Sequence, residues 1–141
     1  MSRLTVSSAN PHIVHPVKTF IPAFLLFIFL SSFQDPALDR QVMRMHDNGQ
    51  EHVVLYFDKL SGDLMKEEVF FPNGNLQWTG TYKNGKEDGT WQFYFSNGSI
   101  KTVENYEAGK EHGVTSQFNE QGKKIKEEFW KHGKKIKELK Y

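Results

Sequence analysis

Trp78-Thr79-Gly80-Thr81-Tyr82-Lys83-Asn84-Gly85-Lys86-Glu87-Asp88-Gly89-Thr90-Trp91 decides how this 141-residue chain is read. The stretch holds two short aromatic-rich runs joined by an Asn-Gly turn and a second glycine. Moving outward from it, the pattern returns every 24 residues: Gly74, Gly98 and Gly122; Gly85, Gly109 and Gly133; Gly89 and Gly113. Tyr82 aligns with Tyr106 and Trp130, Lys86 with Lys110 and Lys134, and Asn73-Gly74 with Asn97-Gly98 and Gln121-Gly122. A fixed period of this length is the mark of a repeat architecture. A weaker copy precedes these, with Asn48-Gly49 lying 25 residues before Gly74 and Gly62 near the middle turn; the extra residue calls for a bulge or a longer loop.

Each unit reads as two strands and two turns. In the clearest unit Leu76–Tyr82 is one strand, 83–89 the connection and Thr90–Phe95 the second strand. Asn-Gly marks a tight hairpin because both residues tolerate φ > 0. Parallel pairing would require crossovers of a dozen or more residues, and the short turns leave no room for them. The expected fold is therefore all-β: an antiparallel meander of successive hairpins in a single-layer curved sheet. The eight glycines named above, Gly74, Gly85, Gly89, Gly98, Gly109, Gly113, Gly122 and Gly133, are the structural turns. The expected organisation is a leader over residues 1–34, a linker over 35–44, and a repeat domain over 45–141 with units at about 45–73, 74–97, 98–121 and 122–141.

The run aromatic-x-Gly-x-aromatic, then Asn-Gly-Lys, then Gly, as it stands in residues 78–89, resembles a MORN repeat. Its continuation Trp91-Gln92-Phe93-Tyr94-Phe95-Ser96-Asn97-Gly98 is similar to the bacterial variant found in the YwqK-type antitoxin family. The likeness spans roughly residues 45–141 and is strongest over 70–122. The first motif glycine survives only as Gly80, since Glu104 and Glu128 occupy the aligned positions, and Lys137 stands where Gly89 and Gly113 would recur. The last unit is thus degenerate, as a terminal capping repeat is. The resemblance implies a sheet of hairpins used for protein contacts and sometimes tied to membranes; it implies no cofactor.

The N-terminal segment has a different character. Thr19 to Gln34 carries no charge, and Phe20–Leu30 is an apolar run too short for the ~20 residues of a spanning helix but of signal-peptide length. Lys18 precedes it and Ser31-Ser32 follow it. We expect an apolar helix over 19–33 acting as an export signal, cleaved near Ser32–Gln34, with a secreted or periplasmic mature domain. The alternative is an uncleaved anchor over the same residues. The polar, proline-bearing first 16 residues make an unusually long leader, so initiation at Val17 is a further expectation.

Composition excludes several classes. There is no cysteine, hence no disulfide, thiolate metal site or cysteine nucleophile. A net charge of +1 offers no bulk field for nucleic acid. Charge is unevenly placed: residues 35–122 carry 8 Lys+Arg against 14 Asp+Glu, whereas 123–141 carry 8 Lys against 3 Glu. The basic end, Lys123–Lys140, reads first as a lysine-blunted edge that resists strand pairing and second as a contact for anionic membrane or envelope polymer. No catalytic constellation is present: Glu87-Asp88 does not recur, and Gly85-Lys86-Glu87-Asp88-Gly89 lacks the ending of a phosphate loop. His112 and His132 fall at turn positions, aligned with Asp88 and with Asn84 and Ala108, where solvated polar residues are expected; no metal site is expected.

The aromatics carry the functional expectation. Trp78 and Tyr82 share one face of a strand, and Trp91, Phe93 and Phe95 share a face of the next. In the following unit Trp78, Trp91 and Phe93 give way to Thr102, Thr115 and Gln117. Rings confined to one unit form either a local core or a contact patch. Trp78, Tyr82, Trp91, Phe93 and Tyr106 are the expected partner-binding set. The expected function is a non-enzymatic module binding a protein partner, against two alternatives: a membrane- or envelope-peripheral structural repeat, or an antitoxin.

Overall fold

The computed structural model describes residues 37–141; the leader, its apolar segment and the two candidate starts lie outside them. The described chain is entirely strand and turn. Its elements are β1 (Leu38–Met45), β2 (Glu51–Asp58), β3 (Leu64–Phe70), β4 (Leu76–Lys83), β5 (Lys86–Glu87), β6 (Gly89–Tyr94), β7 (Ile100–Glu107), β8 (Lys110–Glu111), β9 (Gly113–Phe118), β10 (Lys124–Lys131) and β11 (Lys134–Lys140). Every pairing is antiparallel, and the order β1-β2-β3-β4-β6-β7-β9-β10-β11 makes one open sheet. The short β5 and β8 pair with β4 and β7; they are the first segments of the strands that continue as β6 and β9.

Two kinds of turn alternate along the sheet, and each follows from its residues. Lys83 pairs with Lys86 and Glu107 with Lys110, so each loop has two residues. Both central residues lie in the left-handed region: Asn84 and Gly85, Ala108 and Gly109, His132 and Gly133. That is the conformation whose twist matches the strands it joins. On the opposite side, the amide of Phe71 donates to the carbonyl of Asn75 (2.8 Å) and that of Gly74 to Phe71 (2.9 Å). The same two bonds recur at Phe95–Ser99 and Asn119–Lys123. The Asn48, Asn73 and Asn97 carboxamides each accept the amide two residues on. Gln121 replaces this asparagine in the last turn, and there the Asn119 carboxamide accepts the amides of Gln121 and Lys123 instead. Neighbouring turns are also tied together: Asn48 donates to the carbonyl of Pro72, Asn73 and Asn75 to that of Ser96, and the Ser99 hydroxyl to that of Glu120.

Gly89 (φ +91°) and Gly113 (φ +89°) permit a two-residue offset in the ladder between β4 and β5–β6 and between β7 and β8–β9. The last unit has Lys137 at this place, in ordinary backbone conformation, and only Ile136 is skipped as β10 pairs with β11. The degenerate unit therefore has a single uninterrupted second strand where its predecessors break.

One boundary differs from that expected. Residues 38–44, expected as linker, form β1 together with Met45, paired with β2 through Leu38↔Asp58 to Met45↔Glu51. Six of its eight residues are exposed, Val42, Met43 and Met45 among them; no apolar alternation marks the strand in the sequence. The middle turn of the first unit is the longer loop that its extra residue called for. It runs from Asp58 to Asp63, with the Asp58 carboxylate accepting the amides of Leu60 and Ser61.

The core is thin, as a single layer dictates. Among the described residues the buried hydrophobic side chains are Val54, Val69 and Trp91. Most other strand residues are half-buried.

Candidate functional site

Strand register assembles the aromatic face. Val69 pairs with Trp78, Trp78 with Phe93, and Phe93 with Thr102. One step along, Glu67 pairs with Gly80, Trp91 with Glu104, and Gly89 with Tyr106. Three strands, β4, β6 and β7, thus deliver Trp78, Tyr82, Trp91, Phe93 and Tyr106 to one patch. Trp91 is its centre. Its indole stacks on Trp78 at 5.3 Å and meets the edges of Tyr82 (5.4 Å) and Tyr106 (5.9 Å); Trp78 also tilts against Phe93 at 6.4 Å. Offset and edge arrangements of this kind are each worth about 0.5–1.5 kcal/mol beyond the area they bury.

The patch divides by exposure. Trp91 is 6% exposed, whereas Trp78, Tyr82, Phe93 and Tyr106 are half-buried. This moves Trp91 out of the expected contact set: surrounded by the other rings, it supports them and offers a partner almost nothing. The indole reaches this position because residue 80 is glycine. A Cβ there would fall 2.1 Å from the Trp91 ring.

Carboxylates rim the rings. The Tyr82 hydroxyl donates to Glu67 (3.0 Å) and the Tyr106 hydroxyl to Glu104 (2.9 Å). Burial, then the carboxylate partner, pushes Tyr82 up to about 12 and raises Tyr106 as well. Both phenols are neutral donors at physiological pH. Glu111 is also raised, by burial and then by the charges of Glu104 and Glu128.

Beyond β7 the same face turns from aromatic to ionic. Thr115 (3% exposed) takes the place of Trp91, and Glu128 (8% exposed) lies opposite it. Glu128 is paired by Lys135 and Lys126, both at 2.9 Å, and Glu138 by Lys135 at 2.9 Å. Lys124 pairs with Glu127, and Lys140 approaches Glu138 at 3.5 Å. Half of the lysines of the basic end thus have acidic partners within the hairpin.

Residues 64–84 and 87–108 each match the MORN repeat variant. The two matches cover β3–β4 and, from Glu87 on, β5–β7, and so include β4, β6 and β7, which carry the aromatic patch. No curated protein matches the chain.

A second constellation escaped sequence reading. Glu107, His112 and His132 converge, with one ligating atom of each within 4.8 Å of the others. Nδ1 of His112 lies 3.3 Å and Nδ1 of His132 3.8 Å from the same Glu107 oxygen, and the two rings are 4.9 Å apart. The histidines are 20 residues apart, His112 between β8 and β9 and His132 in the turn between β10 and β11, in adjacent units that the sheet sets side by side. Their shared departure from the repeat was the available signal.

Proposed function

We propose that this chain is an exported, non-enzymatic repeat module that binds a protein partner through the aromatic face of β3–β7. One observation carries the reading: Trp78, Tyr82, Phe93 and Tyr106 stand half-buried around a buried Trp91, on a sheet that no second layer covers among the described residues. Trp and Tyr are over-represented among residues that dominate binding energy. Rings held in place by a buried neighbour lose little side-chain freedom on binding. The rim of Glu67, Glu87, Glu104 and Glu111 suits a partner surface carrying Lys or Arg. Export rests on the apolar segment before Ser31.

The internal pairing of Lys124, Lys126, Lys135 and Lys140 favours this reading over a lipid contact through the basic end. An antitoxin would be a special case, its partner being a toxin; the gene would then be required only beside a toxin gene.

The test places a photo-crosslinking residue at Phe93 or at Ile136 in the full chain, in cells. Crosslinks to one protein from position 93, absent from 136 and abolished by Trp78→Ala in a chain that still unfolds cooperatively, are expected. Crosslinks confined to position 136, or to lipid, would refute the assignment of the face.

A further inference from the structure

The geometry points to a divalent transition-metal site, of zinc class, formed by Glu107, His112 and His132 where the β7–β9 and β10–β11 hairpins lie side by side. The repeat itself supplies the argument. Positions 24 apart show what the fold needs: the residues aligned with Glu107 are Lys83 and Lys131, those aligned with His112 are Asp88 and Ile136, and those aligned with His132 are Asn84 and Ala108. All three site residues therefore depart from their sister units, and the departures meet at one point.

The equivalent place one unit earlier shows the alternative. There the Asp88 carboxylate accepts the amide of Ala108 at 3.1 Å and fastens the next turn. His112 has replaced that aspartate, and its ring faces His132 instead. The backbone tie between units survives the change: Gly133 donates to the carbonyl of Glu111 at 2.8 Å, as Gly109 does to Glu87. The fold is thus held without the two imidazoles. His132 also occupies a left-handed position, φ +50°, where asparagine or glycine fits with less strain.

The donor set suits the metal. Imidazole nitrogen and carboxylate oxygen are ordinary zinc ligands, and three of them leave a fourth position for water or a partner's side chain. At bond lengths of 2.0–2.1 Å, tetrahedral ligand atoms stand about 3.3–3.4 Å apart. The His112–Glu107 distance of 3.3 Å already has that value, and the His132–Glu107 distance of 3.8 Å lies close to it. Nδ1 of His112 is shut off from solvent and makes no hydrogen bond, although Glu107 is near.

Isothermal titration of the full chain with Zn2+ alone tests the site. The variants are His132→Asn and Glu107→Lys, which restore residues found in sister units, and the isosteric Glu107→Gln. One Zn2+ per chain is expected, weakened at least about ten-fold in each variant, with metal-free melting temperatures unchanged or raised. His52→Asn, at the stacked His46–His52 pair (4.2 Å), should bind as the parent does. No binding by the parent, equal affinity in His132→Asn, or loss in His52→Asn alone would each overturn the site and leave a surface His–Glu ion pair only.

Discussion

Gly80 lies directly beneath Trp91, with no room for even a methyl group between them: a Cβ on residue 80 would stand 2.1–2.5 Å from three atoms of the indole. The aligned pair in the next unit is Glu104 and Thr115, large and small exchanged. One unit fills the shared space from the second strand, the next from the first. Gly80→Ala should displace the indole and cost on the scale of Trp91→Ala, about 3–5 kcal/mol. Transplanting the sister pair, Gly80→Glu with Trp91→Thr, should cost less than the sum of the two single changes, by about 0.5–3 kcal/mol. A double-mutant cycle by urea denaturation measures this, and strict additivity would show that the two positions are not coupled.

The two-residue turns offer a stabilising change. Asn84, Ala108 and His132 hold φ of 52°, 51° and 50°. For alanine that conformation costs roughly 1–2 kcal/mol, and asparagine pays less because its side chain bonds locally. Ala108→Asn should raise stability by about 0.5–1 kcal/mol. The amide of Ala108 keeps its bond to Asp88, since the backbone does not move. A fall in the denaturation midpoint would mean that the alanine methyl makes a contact the turn depends on.

The meander was legible because Gly74, Gly98 and Gly122, with Gly85, Gly109 and Gly133, sit at positions where φ is positive and substitution is strained. Glycine is placed by backbone geometry, and backbone geometry repeats. β1 was not legible. Its residues face water on both sides, so no alternation of apolar and polar residues records the strand. The aromatic set was found by spacing, but the division between Trp91 and its neighbours was not. That division depends on Gly80 across the hairpin, and on Tyr106 from the next one. His112 and His132 were read one at a time, as turn residues, and nothing singled out Glu107. Their meeting is a lateral relationship between units, visible only when the register of β7 through β10 is known.

Acid should loosen the terminal hairpin first. Lys135 holds the Glu138 carboxyl down at about 2, against an ordinary 4.5. Glu127 is lowered by Lys124 and Tyr141, and Glu128 by Lys135 and Lys126. A carboxylate depressed in the folded state lends stability that is present above its unfolded value and lost as pH falls towards its folded one. For Glu138 that window runs from about 4.5 down to about 2. Glu111, which is raised, runs the other way and is relieved by protonation. Amide exchange of residues 134–140, corrected for its intrinsic pH dependence, should gain relative to that of β6 across this window. Parallel behaviour of the two regions would show that these ion pairs lend β11 nothing, the ordinary result for exposed pairs.

Removing the terminal hairpin should turn a managed edge into a sticky one. β11 ends the sheet with Lys134, Lys135, Lys137 and Lys140, and charged edges resist pairing with another chain. Deleting residues 123–141 would expose β9, Gly113–Phe118, which carries no charge. Its backbone now pairs with β10 from Gly113↔Trp130 to Phe118↔Lys124. Thr115, 3% exposed in the intact sheet, would lose Glu128 from its side. The bare edge then offers the unpaired amides and carbonyls of an uncharged strand. Sedimentation of the shortened chain at micromolar to millimolar concentration, where exposed edges associate, should show dimers and larger species, while the full chain shows fewer. Gln117→Lys in the shortened chain should reverse the effect by restoring a charge to the edge. A shortened chain that stays monomeric and folded would show that β9 is protected by its twist or its turns, and that the lysines of β11 are not there to guard the edge.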